Sequence, residues 1–537
     1  MKSTKNFMIR AAALMLALAA AALMGCSRAP EHTPEPASPT PDVTSEPQAV
    51  QGGTLRLPMP ENISLSDGGY DPLLVTTEEM YQLFSLVYDP LIAVDTSNML
   101  TPSLVQSWTP YTNDGKWMLK LRSGVTWHDG SPFTADDVIY TFNQIREIRD
   151  GYYSDAAKNI SDMYKQDDLT LIVASNSVGL SALYSLNFPV KKADSDAVML
   201  GTGAYRVDKV SDERIVLKVN TVWWEKTPNI ATVEFLARGS NDLAIASYEA
   251  DMLDFVSTSQ LAVGQYASAG ETIVADCMTQ QMETLLINHT NGLLADKRFR
   301  SALAHLIDRS SIITNVYLNK ARSSDVPFPP DSWLYDSSQV VFDYNIDTAL
   351  KLLAECGCTW DEDGKLMKDG SAVTLRLLCG STTDNSVRAD AAAMIADNLR
   401  GAGIEVQLIN LEHDLNKEDN PFLTALSGGD WDLAAVGFNL SESNDLSKFL
   451  LTNGRNNFGG YSDSRIDSLV ALMNRAGSET AMRERAYELQ AAFTGELPFI
   501  VLYFRLSSVI YRARINGIET LREPGLMRDI RKWYYVK

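Results

Sequence analysis

The sequence predicts an α/β protein of more than one domain, and three observations carry that expectation. A chain of 537 residues exceeds what one hydrophobic core serves. Residues 373–408 read as strand, helix, strand: Val373 to Leu378, then Val387 to Leu399 with Gly401 as the stop, then alternating Ile404, Val406 and Leu408. Such a unit is parallel and right-handed. Residues 117–148 mix both periods. Trp117, Leu119 and Leu121 alternate as a strand, and Val125-Thr126-Trp127 reads as a second one. After the turn His128-Asp129-Gly130-Ser131-Pro132, Thr134 caps a helix with Asp137 as its box partner, and Val138, Phe142, Ile145 and Ile148 form its stripe.

The remaining elements follow the same signals. Gly52 to Leu57 opens the body as a strand, and Glu78 to Tyr88 is a helix with Met80, Leu83, Phe84 and Val87 on one face. Residues 91–94 and 100–104 are short structured pieces, the turn at Asn113-Asp114-Gly115-Lys116 precedes the 117–148 stretch, and Leu169 to Ala174 is a strand. Gly201-Thr202-Gly203 begins like a phosphate-cradling loop. Strand residues Tyr205, Val207, Ile215, Leu217 and Val219 follow it where a helix N-terminus is required, so that reading is rejected. Residues 233–236 are a strand and 241–250 a helix. Phe299, Leu303, Leu306 and Ile307 mark another helix, Ile312, Ile313 and Val316 the next, and Asn345 to Gly357 one more. Asp432 to Gly437 is a short apolar strand suited to the middle of a sheet.

An apolar share of 45% and a charged share of 21% describe a soluble globular body. The formal charge is −21, and the leader carries three more positive charges away with it, leaving about −24. That balance argues against nucleic acid, which asks for a basic surface. H-E-x-x-H, G-x-S-x-G and a Gly-Lys-Ser/Thr loop are all missing, and the histidines at 32, 128, 289, 305 and 413 do not cluster. The reading is a non-enzyme with no cofactor and no metal. A carboxylate-pair enzyme of glycosidase type stays open as an alternative, because such pairs leave no mark in sequence. His128 and His305 read as turn and helix residues rather than ligands.

Lys2, Lys5 and Arg10 followed by the apolar run Ala11 to Leu23 form an export signal, too short to span a bilayer. Residues 27–51 hold six prolines and almost no large apolar side chain, the composition of a disordered, extended linker. Cys277, Cys356, Cys358 and Cys379 are expected to be mostly buried free thiols, with one disulfide open as a possibility.

Several runs carry a family resemblance. Leu23-Met24-Gly25-Cys26 resembles a bacterial lipobox, which implies a lipid on Cys26; an ordinary secretory signal is the alternative. Leu121-Arg122, Trp127-His128-Asp129-Gly130, Pro132, Thr134-Ala135 and Asp136-Asp137-Val138 resemble the signature of the family 5 extracellular solute-binding proteins of ABC importers. Gly201-Thr202-Gly203-Ala204-Tyr205, with Ala204 in place of the family's Pro, resembles a second motif of that family, and Arg298-Phe299-Arg300 with Ile307-Asp308-Arg309 a third.

The resemblance implies a two-lobed periplasmic-binding-protein-like fold of type II with an enlarged first lobe, its lobes joined by two hinge crossings. On that reading residues 1–26 are the lipoprotein signal peptide and 27–51 the linker. The main segment of lobe I is 52–280, lobe II is 281–497, and 498–537 returns to lobe I. The implied partners are a small solute, foremost an oligopeptide or dipeptide, and membrane permease subunits. The protein would be a monomer held by its lipid on the outer face of the cell membrane or in the periplasm. A nickel chelate, a sugar or another solute, or a signalling or adhesion lipoprotein, are the alternatives.

The family's peptide binders carry an Asp that pairs with the peptide amine in the loop after a lobe II strand; its position here is Ser441. Either Glu442 or Asp445 supplies the charge from a shifted loop, or the ligand has no free amine there. Ligands lie beyond the carboxyl ends of parallel strands and against mixed aromatic and polar walls. The candidate ligand contacts are therefore Trp431, Phe438, Asn439, Ser441, Glu442 and Tyr503. Core or hinge packing is the alternative for the three aromatics.

Overall fold

Two long antiparallel strands, Thr272–Ile287 and Phe499–Arg512, run through both halves of the molecule. The computed structural model describes residues 49–59, 70–111, 115–149, 151–176, 178–195, 197–381, 386–414 and 419–536. The leader, Cys26, nearly all of the Pro-rich linker and the turn residues Asn113 and Asp114 lie outside them.

The long pair sits inside a seven-stranded sheet. The order is 255–258, 499–512, 272–287, 433–439, 374–381, 405–412, with Ala321–Ser323 also on the 499–512 strand. Register breaks twice along the pair, between Met278 and Met282 and between Glu283 and Thr284. A break in a ladder bends and twists the strands locally.

The two ends of the pair feed different cores. Cys277, Val509 and Tyr511 pack with Leu55, Leu57 and Phe235. Leu285, Ile500 and Leu502 pack with Leu377, Ile395 and Leu433. Side chains such as Ile500 and Leu502 leave water almost completely, worth roughly 1.5–3 kcal/mol each. The result is the two-lobed α/β fold that the sequence implies.

In the second lobe the strands Thr374–Ser381 and Glu405–Glu412 are parallel, with the helix Val387–Gly401 between them in sequence. Leu433–Asn439 lies parallel to the 374–381 strand on its other edge, and its buried Leu433 to Val436 suit a strand covered on both faces. The expected stop at Gly401 is displaced. Gly401 is still helical, and the left-handed residue is Gly403 at φ 89°. A Cβ on Gly403 would lie 2.4 Å from the Gly364 carbonyl oxygen, so the turn requires glycine there.

The first lobe holds a sheet in the order 54–59, 232–237, 214–219, 205–210, and a second one in the order 105–110, 116–121, 170–175, 160–167. The helix Ala135–Glu147 has Val138, Phe142 and Ile145 buried, as the stripe requires. The strand expected at 125–127 does not form. Two tight turns flank it, and only one bridge, Thr126 to Pro132, closes between them.

The apolar cluster beneath the 105–175 sheet continues into the second lobe, where Ile466, Val470 and Met473 join Leu180 and Leu183. The Leu180 N–H donates to the Ala476 carbonyl at 2.7 Å, and Ser181 Oγ to the Asn474 carbonyl at 2.6 Å. A Cβ on Gly179 would fall 2.0 Å from the Asn474 oxygen, so glycine permits this contact.

Candidate functional site: the cleft between the lobes

The 117–148 signature turns out to be a joint. Trp127 Nε1 donates to Asp137 Oδ2 at 3.3 Å, and that carboxylate also receives the Thr134 N–H, completing the capping box at 2.9 Å. His128 Nε2 meets the Gly203 carbonyl at 3.0 Å, so it carries the proton, while Nδ1 faces the Gly201 N–H at 3.4 Å. Burial depresses the His128 pKa. Asp129 holds Lys192 and is pulled well below the usual carboxylate range by that bond. These residues fasten the 201–205 loop to the helix, which makes the signature structural.

Beside that loop lies a cavity of about 460 Å³ within the first lobe, with Tyr81, Asp89, Asn187, Trp223, Trp224 and Arg528 in its wall. Asp89 accepts from Trp224 Nε1 at 2.7 Å, Thr202 Oγ1 at 2.9 Å and Trp223 Nε1 at 3.3 Å. Burial nevertheless pushes its pKa up to about 6, because three neutral donors only partly offset desolvation.

Arg528 and Asn187 reach from this wall to the loop after the 433–439 strand. Glu442 Oε1 lies 2.5 Å from Arg528 Nη2, and Oε2 accepts Asn187 Nδ2 at 2.7 Å. Burial works against the Arg528 charge, but the Glu442 carboxylate outweighs it and the guanidinium pKa is raised. Burial, with Glu442 adding to it, pushes the Tyr81 hydroxyl up to about 12.

The six expected ligand contacts separate. Asn439 is exposed at the strand end opposite Gln281, and Ser441 is exposed with its hydroxyl 2.8 Å from that of Ser443. Phe438 is half-buried, its ring 4.9 Å from Phe449. Glu442 crosses the cleft as described.

Trp431 and Tyr503 do not line it. Trp431 is fully buried and donates to the Leu426 carbonyl at 2.9 Å, an indole satisfied inside the second lobe. Tyr503 is 1% exposed and packs on Tyr317 with ring centres 4.7 Å apart. Trp431 precedes the 433–439 strand, and Tyr503 stands on a strand covered on both faces, so both side chains fill apolar packing inside the protein. Asp445 is also occupied, accepting from Ser447 and from Asn474 Nδ2 at 2.8 Å.

Residues the sequence reading missed complete the picture. Glu283, 2% exposed at the register break, takes Arg388 through bonds of 2.8 and 3.0 Å. A Cβ at Gly437 would lie 2.2 Å from Arg388 Nη2, so glycine at this strand position makes room for the guanidinium. Asn187, Arg388 and Arg528 are single polar residues in loops or at a helix start, with no pattern to flag them. Among the described residues, no three His, Cys, Asp or Glu side chains converge to hold a metal ion. Cys277, Cys356, Cys358 and Cys379 are buried and free.

The comparisons agree with this architecture. The sequence family described as bacterial extracellular solute-binding proteins, family 5, matches residues 99–460. The oligopeptide-binding protein AppA of Bacillus subtilis is 22% identical over 502 residues, which cover 87% of this chain and 90% of the relative. The dipeptide-binding protein of Escherichia coli is 22% identical over 389 residues, 65% of this chain and 70% of that one. Among solved structures, the murein tripeptide-binding protein MppA in its unliganded open form superposes with a TM-score of 0.78 at 18% identity, covering 91% of this chain and 98% of that chain. A nickel ABC transporter structure from Bacillus halodurans gives 0.77 at 19% identity, covering 90% and 100%. The chain belongs to the bacterial extracellular solute-binding proteins of family 5.

Proposed function

We propose that this chain is the extracytoplasmic substrate-binding lipoprotein of an ABC importer, which closes on an oligopeptide or dipeptide and delivers it to a membrane permease. The carrying observation is the pair of long strands whose two ends pack into different apolar clusters and whose register breaks between them, a construction that suits a hinge. We place the lobe boundaries near residues 280 and 498, next to that break. The same reading makes it a monomeric binding protein rather than an enzyme, anchored by a lipid on Cys26. Native mass spectrometry of protein purified without refolding tests the cargo: co-purifying peptide masses are expected, and a non-peptide mass overturns the peptide assignment. Replacement of Cys26 by Ala is expected to release the protein from the membrane fraction, and retention there would remove the anchor.

A second reading is favoured by one feature, the loop 441–445. Ser441 is neutral, while Glu442 and Asp445 are both engaged by protein groups. That arrangement suits a ligand without a free amine at this point, whether a blocked peptide or a non-peptide solute.

A further inference from the structure

The first-lobe cavity of about 460 Å³ falls within the size of small-molecule sites, about 300–1,000 Å³. Its wall is built by the helix Glu78–Val87, the hairpin of strands 92–94 and 100–102, the run Trp223-Trp224-Glu225 and the turn at 527–532. On the lobe boundaries proposed above, all four belong to the first lobe.

Six aromatic side chains stand in that wall: Tyr81, Phe84, Tyr88, Tyr153, Trp223 and Trp224. The two indoles meet at an interplanar angle of 60° with ring centres 5.7 Å apart, forming a corner. Both direct their Nε1–H groups to the Asp89 carboxylate, so the corner closes on a negative charge. Cations already favour this place: the Arg122 guanidinium carbon lies 4.2 Å from the Trp224 ring centre. Aromatic faces attract cations through their quadrupole, and most strongly out of water.

The charges of the wall decide the sign of an occupant. Its cations are Arg528, Arg531 and Lys532. Each is met by a carboxylate: Arg528 by Glu442 at 2.5 Å, Arg531 by Glu225, and Lys532 by Asp529 at 3.2 Å. Asp89 and Asp95 accept from neutral donors instead. The donors to Asp89 are the two indoles and Thr202; those to Asp95 are Ser97 and Met99 of its own turn. Carboxylate charge is therefore in excess at an aromatic surface. A hard metal ion asks for a shell of oxygen ligands, which aromatic rings do not give; an ammonium carrying alkyl groups is served by both the rings and the charge.

We propose that this cavity binds a small free organic cation of the alkylated ammonium class, its alkyl groups against Trp223, Tyr81 and Tyr153 and its charge beside Asp89. The proposal does not rest on the peptide reading. The site is built from one lobe, so filling it asks for no hinge closure. The excess of carboxylates works against an attached phosphate, which makes the occupant a free cation and not a zwitterionic headgroup.

The test is calorimetry on the full chain at about pH 7.5, above the Asp89 pKa of about 6, with choline and its neutral isostere 3,3-dimethylbutan-1-ol. Wild type is expected to bind choline roughly 10- to 100-fold more tightly than the alcohol, the combined worth of a desolvated cation–π contact and a facing carboxylate. Asp89→Asn keeps an oxygen acceptor for the indoles and should shrink that ratio to within about threefold of the ratio for the rings alone, roughly 3- to 30-fold. Trp223→Leu keeps apolar bulk and should weaken choline by about 3- to 30-fold. Equal binding of choline and the alcohol by wild type, or no binding of choline, overturns the site without need of any variant. An unchanged choline preference in Asp89→Asn overturns the assignment to Asp89. Tighter binding of glycerophosphocholine than of choline overturns the free-cation assignment. Small-angle scattering with saturating choline should leave the radius of gyration unchanged, and compaction overturns the placement in one lobe.

Discussion

Glu442 and Arg528, 86 residues apart in sequence, form an ion pair 2.5 Å long across the cleft. Their side chains are 16% and 18% exposed, so the pair is only weakly screened, and Asn187 adds a second bond to the same carboxylate. On the hinge reading proposed above, the clasp favours the closed arrangement in the absence of any ligand.

Neutralising it should open the molecule. Glu442→Gln keeps the shape and an acceptor for Asn187 but removes the charge, at a cost of roughly 1.5–3 kcal/mol to the closed state. That shifts the open–closed balance by about one to two orders of magnitude. Small-angle scattering of the ligand-free variant should show a larger radius of gyration than wild type. An identical curve would mean that the apolar contacts around Leu180 and Ile466 hold the lobes by themselves.

The same geometry bears on the peptide amine. With Glu442 and Asp445 engaged and a hydroxyl at Ser441, an ammonium would have to displace Arg528 to find a carboxylate there. Acetylating the amino terminus of a peptide should change its affinity by less than about threefold, under 0.7 kcal/mol. A loss of tenfold or more in calorimetry would return Glu442 to the role of amine partner.

His128 should matter to stability and not to binding. Its imidazole bridges to Gly201 and Gly203; removing it leaves the buried Gly203 carbonyl with Asn220 Nδ2 at 3.1 Å and takes the Nδ1 acceptor from the Gly201 N–H, at about 1–3 kcal/mol. Chemical denaturation of His128→Ala should show that loss, with ligand affinity unchanged within error. A drop in affinity without a drop in stability would make the histidine a ligand contact.

Asp89 gives a pH signature of unusual sign. Its folded pKa, about 6, stands above the ordinary carboxylate value of 3.8, so the folded state holds the proton more tightly than the unfolded one. The stabilisation is complete below about pH 4 and is lost as pH rises through about 6, amounting to about 3 kcal/mol. Asp89→Asn should lower stability at acid pH yet flatten the pH 4–6 slope of unfolding measured by denaturant titration. An unaltered slope would show that Asp89 is ionised throughout.

Local pattern fixed the elements wherever a segment has one buried face. The 135–147 helix, the strands near 374, 405 and 433, and the Thr134–Asp137 capping box were all legible, because periods of 2.0 and 3.6 residues and cap chemistry are properties of neighbours in sequence. The strand expected at 125–127 was misread because tight turns on both sides leave too little chain for a ladder. Trp431 and Tyr503 were misplaced for a related reason: composition marks an aromatic as apolar, but not which apolar space it fills.

The sequence by itself determined the α/β class, the family, the loop where Ser441 stands in place of a carboxylate, and the signature that turned out to be a joint. Only the tertiary structure decided what that loop does. Glu442 finds Asn187 and Arg528, and Arg522 finds Asp331, across separations of 255, 86 and 191 residues. Such pairs are set by how the strands 272–287 and 499–512 bring two bodies together. A lone charged residue in a loop carries no periodicity to announce its partner, so the cleft is written in long-range geometry and not in local pattern.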